Sequence, residues 1–277
     1  MQEPIVAKAS VVVLTMDRRQ ALEECVGAIL DKTAAPFELH IVDNGSRDGS
    51  VEWLRNLHPA DTNACVAYRL YALGENQGVC ARNIALKAAR GCFILQVDDD
   101  VIVGPGWDGA LLAPLLQDEA VGAVGQQGFW LNWPGFQHPG RTLFLDKRFP
   151  QPGDFCDLVM GYCWAWRNER VPAYIGQAPD SLPADYPTVP RFLYDEAFNP
   201  HWHEETDLQL QIKAAGYRIR CGPPVSRHRS MKSWHAAHGN DPMVGLQHAV
   251  AHEHLLLQKW GGRRADLGLE LDRRGLQ

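Results

Sequence analysis

A chain of 277 residues, 45% hydrophobic and 22% charged, has enough apolar content for one large α/β domain. Its formal net charge of −6 lacks the basic excess of a nucleic-acid binder, so no nucleic-acid partner is expected. No run approaches the ~20 apolar residues of a membrane span, the N-terminus lacks a signal-peptide pattern, and the seven cysteines form no CxxC pair; the expected setting is a reducing cytoplasm, with peripheral membrane contact at most.

The elements follow in chain order. "ASVVVLT" (9–15) is a β-branched strand, and "QALEECVGAILDK" places Leu22, Cys25, Val26, Ile29 and Leu30 at helical spacing. "FELHIVDNGSRDGS" (37–50) is a second strand running into turn-forming residues, with a helix from about Ser50 carrying Trp53 and Leu54 inward. "CVAYRLYAL" (65–73) is a third strand. "GENQGVCARNIALKAARG" (74–91) is a turn, a helix and a glycine stop, and "CFILQVDDD" is the fourth strand. Strands alternating with helices predict βαβ units and a mostly parallel sheet, whose ligands bind beyond the carboxyl ends of the strands. Thr15, Asp43 and the run Asp98–Asp100 all follow strands, so they should gather at one edge.

After about residue 125 the pattern loosens. "VMGYCWAWRNER" (159–170) can be one more strand, and 171–190, with five prolines, is an irregular loop. "EETDLQLQIKAAGYRIR" (204–220) returns as helix, Gly216 and strand, and "HAVAHEHLLLQKWGG" is a last amphipathic helix whose "HEHLL" is expected to be a solvated face. The expected divisions of the chain are 1–125, 126–240 and, as a C-terminal helix and tail, 241–277.

Three consecutive carboxylates at a strand end need a cation. Strand alternation would send Asp98 and Asp100 to one side and Asp99 to the other. Oxygen ligands without cysteine suit magnesium or manganese, which complete their shell with substrate phosphates. A solvated acidic turn would look the same in sequence.

The segments "VVVLT", "IVDNGSRDGS", "ENQGVCARNIALKAARG", "LQVDDD", "HEETDLQLQIKAAGYRI" and "PVSRH", over residues 8 to 235, together resemble the family-2 glycosyltransferases. The resemblance implies a GT-A fold: a Rossmann-like, mostly parallel sheet flanked by helices, with 1–125 as the nucleotide-sugar-binding half and 126–240 as the less regular acceptor-binding and catalytic-base half of the same domain. It implies an inverting transfer from a nucleotide sugar to an acceptor, which can be a small molecule, glycan, lipid-linked group or peptide. By that resemblance Thr15 lines the nucleotide pocket, Asp43 accepts from the nucleobase, and Arg82 holds the base or the phosphates. Asp98 lies near ribose and metal, and Asp100 is the metal ligand ahead of Asp99. His228 completes the metal and diphosphate site, and Glu205 is the catalytic base with Glu204 as its competitor. An Asp43 acceptor beside an Arg82 donor favours UDP or dTDP. Asp207 is assigned to structure.

Charge counting adds one feature. Between Asp207 and Asp241 the chain has no acidic residue but carries Lys213, Arg218, Arg220, Arg227, Arg229 and Lys232. Arg227, Arg229 and Lys232 are therefore expected to clamp the departing diphosphate from a mobile loop at 226–240. The alternatives are a phosphohydrolase using Asp98 as nucleophile and a non-catalytic nucleotide-sugar binder.

Overall fold

Val11, Val12 and Val13 are wholly buried in succession, as in a strand covered on both faces. The computed structural model describes residues 8–59, 64–131, 149–168, 192–229 and 242–273. Within them the chain runs β1 (Ala9–Thr15), α1 (Arg19–Lys32), β2 (Phe37–Asp43), α2 (Ser50–Arg55), β3 (Cys65–Ala72), α3 (Arg82–Ala88), β4 (Phe93–Val97), β5 (Val101–Val103) and α4 (Trp107–Gln117). Then come β6 (Val121–Gln126), β7 (Gly128–Phe129), β8 (Phe155–Cys156), β9 (Leu158–Val159), β10 (Cys163–Arg167), α5 (Glu204–Ala214), β11 (Arg218–Gly222), β12 (Ser226–His228), α6 (Pro242–Trp260) and α7 (Glu270–Arg273).

Eight strands form one sheet in the order β3-β2-β1-β4-β10-β6-β11-β8. β1, β2, β3 and β4 are parallel, and β10 is antiparallel to both β4 and β6. β10 thus inserts a strand from the second half of the chain into the sheet begun by the first. The order also reverses beside β1: the chain moves outward through β2 and β3, then returns to β4 on the other flank. Such a switch point opens a crevice at the carboxyl ends of β1 and β4. A separate ribbon pairs β5 with β12 and sets His228 opposite Val101.

One core face gathers Val11 and Val13 with Leu22, Val26 and Ile29 of α1 and Trp107 and Leu111 of α4. The other gathers Val12 with Leu86 of α3, Trp164 and Trp166 of β10, and Leu208 and Ile212 of α5. A third cluster packs Trp260 and Leu256 of α6 on Leu210 and Phe198. No helix of the described residues is long and apolar enough to cross a membrane.

Two sequence expectations change here. Gly91 does not end α3 through a left-handed cap; it is small because β1 passes against it, and an added Cβ would lie 2.4 Å from the carbonyl carbon of Ala9. "HEHLL" is not a solvated face: His252 and Glu253 are buried, and His252 Nδ1 lies 2.9 Å from the carbonyl oxygen of His201. α6 covers the segment leading into α5, which its own sequence period does not reveal.

Glu38 ties β1, β2 and the entry to β4. Its Oε1 accepts from Ser10 Oγ at 2.5 Å and Gly91 N at 3.2 Å, and His40 Nε2 lies 3.2 Å away. Burial alone would raise its pKa; the contacts with His40, Ser10 and the Arg90 backbone overcome it and hold the carboxyl at about 2. Because the folded value is depressed, this stabilisation is complete above about pH 4.5 and is lost as pH falls toward 2. Glu38→Gln should therefore lose roughly 1.5–3 kcal/mol at neutral pH. In denaturant titrations, the gap to wild type should close between about pH 4.5 and 2; a pH-independent gap would contradict the linkage.

Candidate functional site

The crevice is a cleft of ≈510 Å³, a size typical of small-molecule sites. Thr15, Arg18, Arg82, Asp98 and Asp99 line one part of it; His201, Trp202, His203, Glu204 and Glu205 line another.

β4 ends at Val97, so Asp98–Asp100 lie on a turn, closed by Val101 N donating to the Asp98 carbonyl at 3.1 Å. Strand alternation therefore does not govern their directions. Asp98 Oδ1 accepts from Arg82 Nη2 at 2.7 Å, and Asp99 Oδ2 accepts from Thr15 Oγ1 at 2.7 Å across the switch point. Asp100 Oδ1 lies 3.2 Å from His228 Nε2. Ligand atoms of Asp98, Asp100 and His228 all lie within 4.8 Å of one another. Asp99 is outside that trio, held by Thr15 and by Arg18, whose Nη1 is 2.9 Å from Asp99 and 3.3 Å from Asp100.

Arg18 was not legible as a site residue, although its place just beyond the first strand end was a usable signal. Arg82 is buried and turned toward Asp98, on the carboxylate side of the cleft. Asp43 is fully buried: Oδ1 accepts from Ser46 N at 2.9 Å and Gly45 N at 3.2 Å. Its Oδ2 is a buried acceptor without a hydrogen-bond partner among the described residues. The neighbouring cleft wall is made by Asn44 and Asn76, joined at 2.8 Å.

Glu204 and Glu205 open α5, where the helix dipole favours carboxylates. Glu204 is the more deeply buried, while Glu205 Oε1 accepts from Gln96 Nε2 at 3.0 Å. Burial pushes Glu205 up to about 8, reinforced by repulsion from Glu204 and Asp98. Burial likewise raises Glu204 to about 7 and Asp99 to about 6, and raises Asp98. His228 is raised by its contact with Asp100. The carboxyls of Asp98, Asp99, Asp100, Glu204 and Glu205 outnumber the cations beside them, Arg18, Arg82 and His228. The O, O, N donor set and this surplus of negative charge fit a divalent cation of the magnesium or manganese class.

Gly161 leaves room for Glu205. A Cβ there would lie 1.7 Å from Glu205 Oε2 and 1.9 Å from its Cδ. Gly161→Ala should therefore displace the carboxylate and cut turnover by on the order of a hundredfold, since small misplacements near chemistry have effects of that size. Nucleotide affinity by calorimetry should stay within about twofold; wild-type turnover would show that the carboxylate position is not critical.

The basic run disperses. Lys213 is buried 3.0 Å from Asp157, and Arg218 pairs with Glu270 at 2.8 Å over the Phe155 ring. Arg220 also lies over Phe155. Arg227 is exposed, and alternation along β12 places it opposite the face that carries His228. Arg229 pairs with Glu24 of α1 at 2.7 Å. The partners of Lys213, Arg218 and Arg229 come from distant segments, while the Arg229 backbone N–H donates to the Asp100 carbonyl at 2.8 Å. Lys232 and residues 230–241 lie outside the described residues, as do 132–148 and 169–191 of the expected acceptor side. Asp207 is structural: it accepts from Trp260 Nε1 at 2.7 Å and from Lys259 Nζ at 2.9 Å, fastening α6 to α5.

The family model described as glycosyl transferase family 2 matches residues 10–163. An uncharacterized protein of Sinorhizobium fredii is 30% identical over 228 residues, covering 75% of this chain and 23% of the relative. A mannosyltransferase of Pyrobaculum calidifontis, solved with GDP-Man and Mn2+, superposes with TM-score 0.56 at 18% identity, over 84% of this chain and 61% of that one. GalNAc-T7, solved with UDP, GalNAc and Mn2+, gives TM-score 0.54 at 16% identity, over 82% and 44%. The chain spans 23% to 35% of the lengths of three curated relatives.

Proposed function

The chain belongs to glycosyl transferase family 2 and has the GT-A architecture, and from that premise we propose that it moves a sugar from a nucleoside-diphosphate donor to an acceptor hydroxyl with inversion. The observation that carries this reading is one cleft lined by both Glu205 and Asp98, with Asp98 joined to Asp100 and His228 in a trio of ligand atoms. Asp98, Asp100 and His228 would hold manganese or magnesium. Such a cation, when bound, neutralises charge on the diphosphate leaving group.

This chain's own residues do the rest. Arg18 and Arg82 supply positive charge beside the carboxylate turn, and Thr15 fixes Asp99. Glu205 takes the acceptor proton as the new oxygen–carbon bond forms and the bond from the anomeric carbon to phosphate breaks. The electron pair leaves with the diphosphate. Direct attack from the opposite face inverts the anomeric carbon. The phosphohydrolase alternative needs Asp98 as a free nucleophile, whereas Arg82 holds it at 2.7 Å. The reducing setting is supported by seven free cysteines, six of them buried.

UDP or dTDP is the proposed nucleotide, following the resemblance that makes Asp43 an acceptor for a ring N–H; Asp43 is buried next to the cleft wall of Asn44 and Asn76, so the pairing requires that wall to shift. With Arg82 turned to Asp98, the arginine belongs to the phosphate side. Calorimetry with manganese should rank UDP or dTDP above GDP; tighter GDP binding would overturn the preference. Hydrolysis of a nucleotide sugar to free sugar and nucleoside diphosphate, with water as acceptor, tests the transferase reading. Binding of every active nucleotide without any turnover would favour the non-catalytic binder.

A further inference from the structure

β4 contains one residue its burial pattern does not favour. Phe93, Ile94, Leu95 and Val97 are buried apolar residues, and between them Gln96 is fully buried too. A buried amide is costly unless its bonds are made. Gln96 makes three. Nε2 donates to the Gly161 carbonyl at 2.9 Å and to Glu205 Oε1 at 3.0 Å, and Oε1 accepts from the Tyr194 hydroxyl.

These partners fix the amide. The Gly161 carbonyl can only accept, so the nitrogen must face it and the oxygen must face the tyrosine. Tyr194 is anchored in turn by Asn83 of α3: its N donates to Asn83 Oδ1 at 2.9 Å and its carbonyl accepts from Asn83 Nδ2 at 2.8 Å. The Arg82 guanidinium lies 5.9 Å from its ring centroid. Burial keeps the Tyr194 hydroxyl protonated, hence a donor. The strand that runs into the Asp98–Asp100 turn thus also carries the group that holds Glu205.

We propose that Gln96, locked by Tyr194 and Gly161, is a positioning residue that occupies Glu205 Oε1 with a hydrogen bond and leaves Oε2 as the atom that takes the acceptor's proton. This rests on the reading of Glu205 as the base. It makes Gln96 a determinant of the base's direction and ionisation, and makes β4 a rigid spacer between base and carboxylate trio.

The test uses the ligand-free 277-residue chain carrying carboxyl-labelled glutamate, titrated by carbon NMR, with the Glu205 resonance identified by its loss in Glu205→Gln. Gln96→Leu removes a donor to the carboxylate and should raise the Glu205 midpoint by about one pH unit or more. Gln96→Glu should raise it in the same direction and serves if the leucine variant does not fold. Tyr194→Phe should give a smaller rise. UDP affinity in manganese should stay within about twofold in all three. An unchanged midpoint in both Gln96 variants would overturn the proposal, as would a UDP affinity that falls along with it. If the midpoint moves while Glu205→Gln still hydrolyses donor, the base assignment fails and takes the role of Oε2 with it. If Glu205→Gln is inactive and the midpoint does not move, the positioning role fails alone.

Discussion

Glu205→Gln should bind nucleoside diphosphate with manganese as wild type does, while turnover falls by ~10²–10⁴, the usual contribution of a general base. The substitution keeps shape and removes basicity, so the loss should appear in kcat with donor affinity unchanged. Glu204→Gln should do less, because Glu204 is the more deeply buried and it is Glu205 that Gln96 and Gly161 hold in place. The base acts when ionised, so activity should rise with pH through an acid limb. Burial places Glu205 at about 8 without ligand, and a divalent cation nearby moves that limb lower. A nearly wild-type Glu205 variant beside an inactive Glu204 variant would shift the assignment by one residue.

The second large effect belongs to Asp100. Asp100→Ala removes one arm of the Asp98, Asp100 and His228 trio and also a contact of Arg18. Manganese affinity, followed by electron paramagnetic resonance in the presence of UDP, should fall at least tenfold. Excess chelator should abolish donor hydrolysis by wild type, and manganese or magnesium should restore it. Full turnover in chelator would remove the cation from the account.

The first four strands were legible because each is a β-branched or aromatic run bounded by turn residues, and their helices carry clear apolar spacing. The gathering of Thr15 with the aspartate run was expected because both follow strands of a parallel sheet; that β1 and β4 are direct neighbours is seen only in the fold. What sequence could not show is non-local. β10 lies between β4 and β6 through pairings such as Trp164 with Gln96 and Gly125, which no local pattern encodes. The basic run from Lys213 to Arg229 looked like a patch because its partners Asp157, Glu270 and Glu24 are far away in sequence. Gln96 stood inside the quoted strand, but only the fold reveals that its amide meets Glu205. Arg18 shows the same limit, since its partners lie more than eighty residues on.

Single displacement at the anomeric carbon, with Glu205 as base, fixes the configuration of the released sugar. The most direct measurement is proton NMR of the sugar first released from a UDP-sugar in magnesium, read from the anomeric coupling before mutarotation. An α-linked donor should give β-configured sugar, and Glu205→Gln should give almost none. Release of the α-anomer at wild-type rates would contradict it.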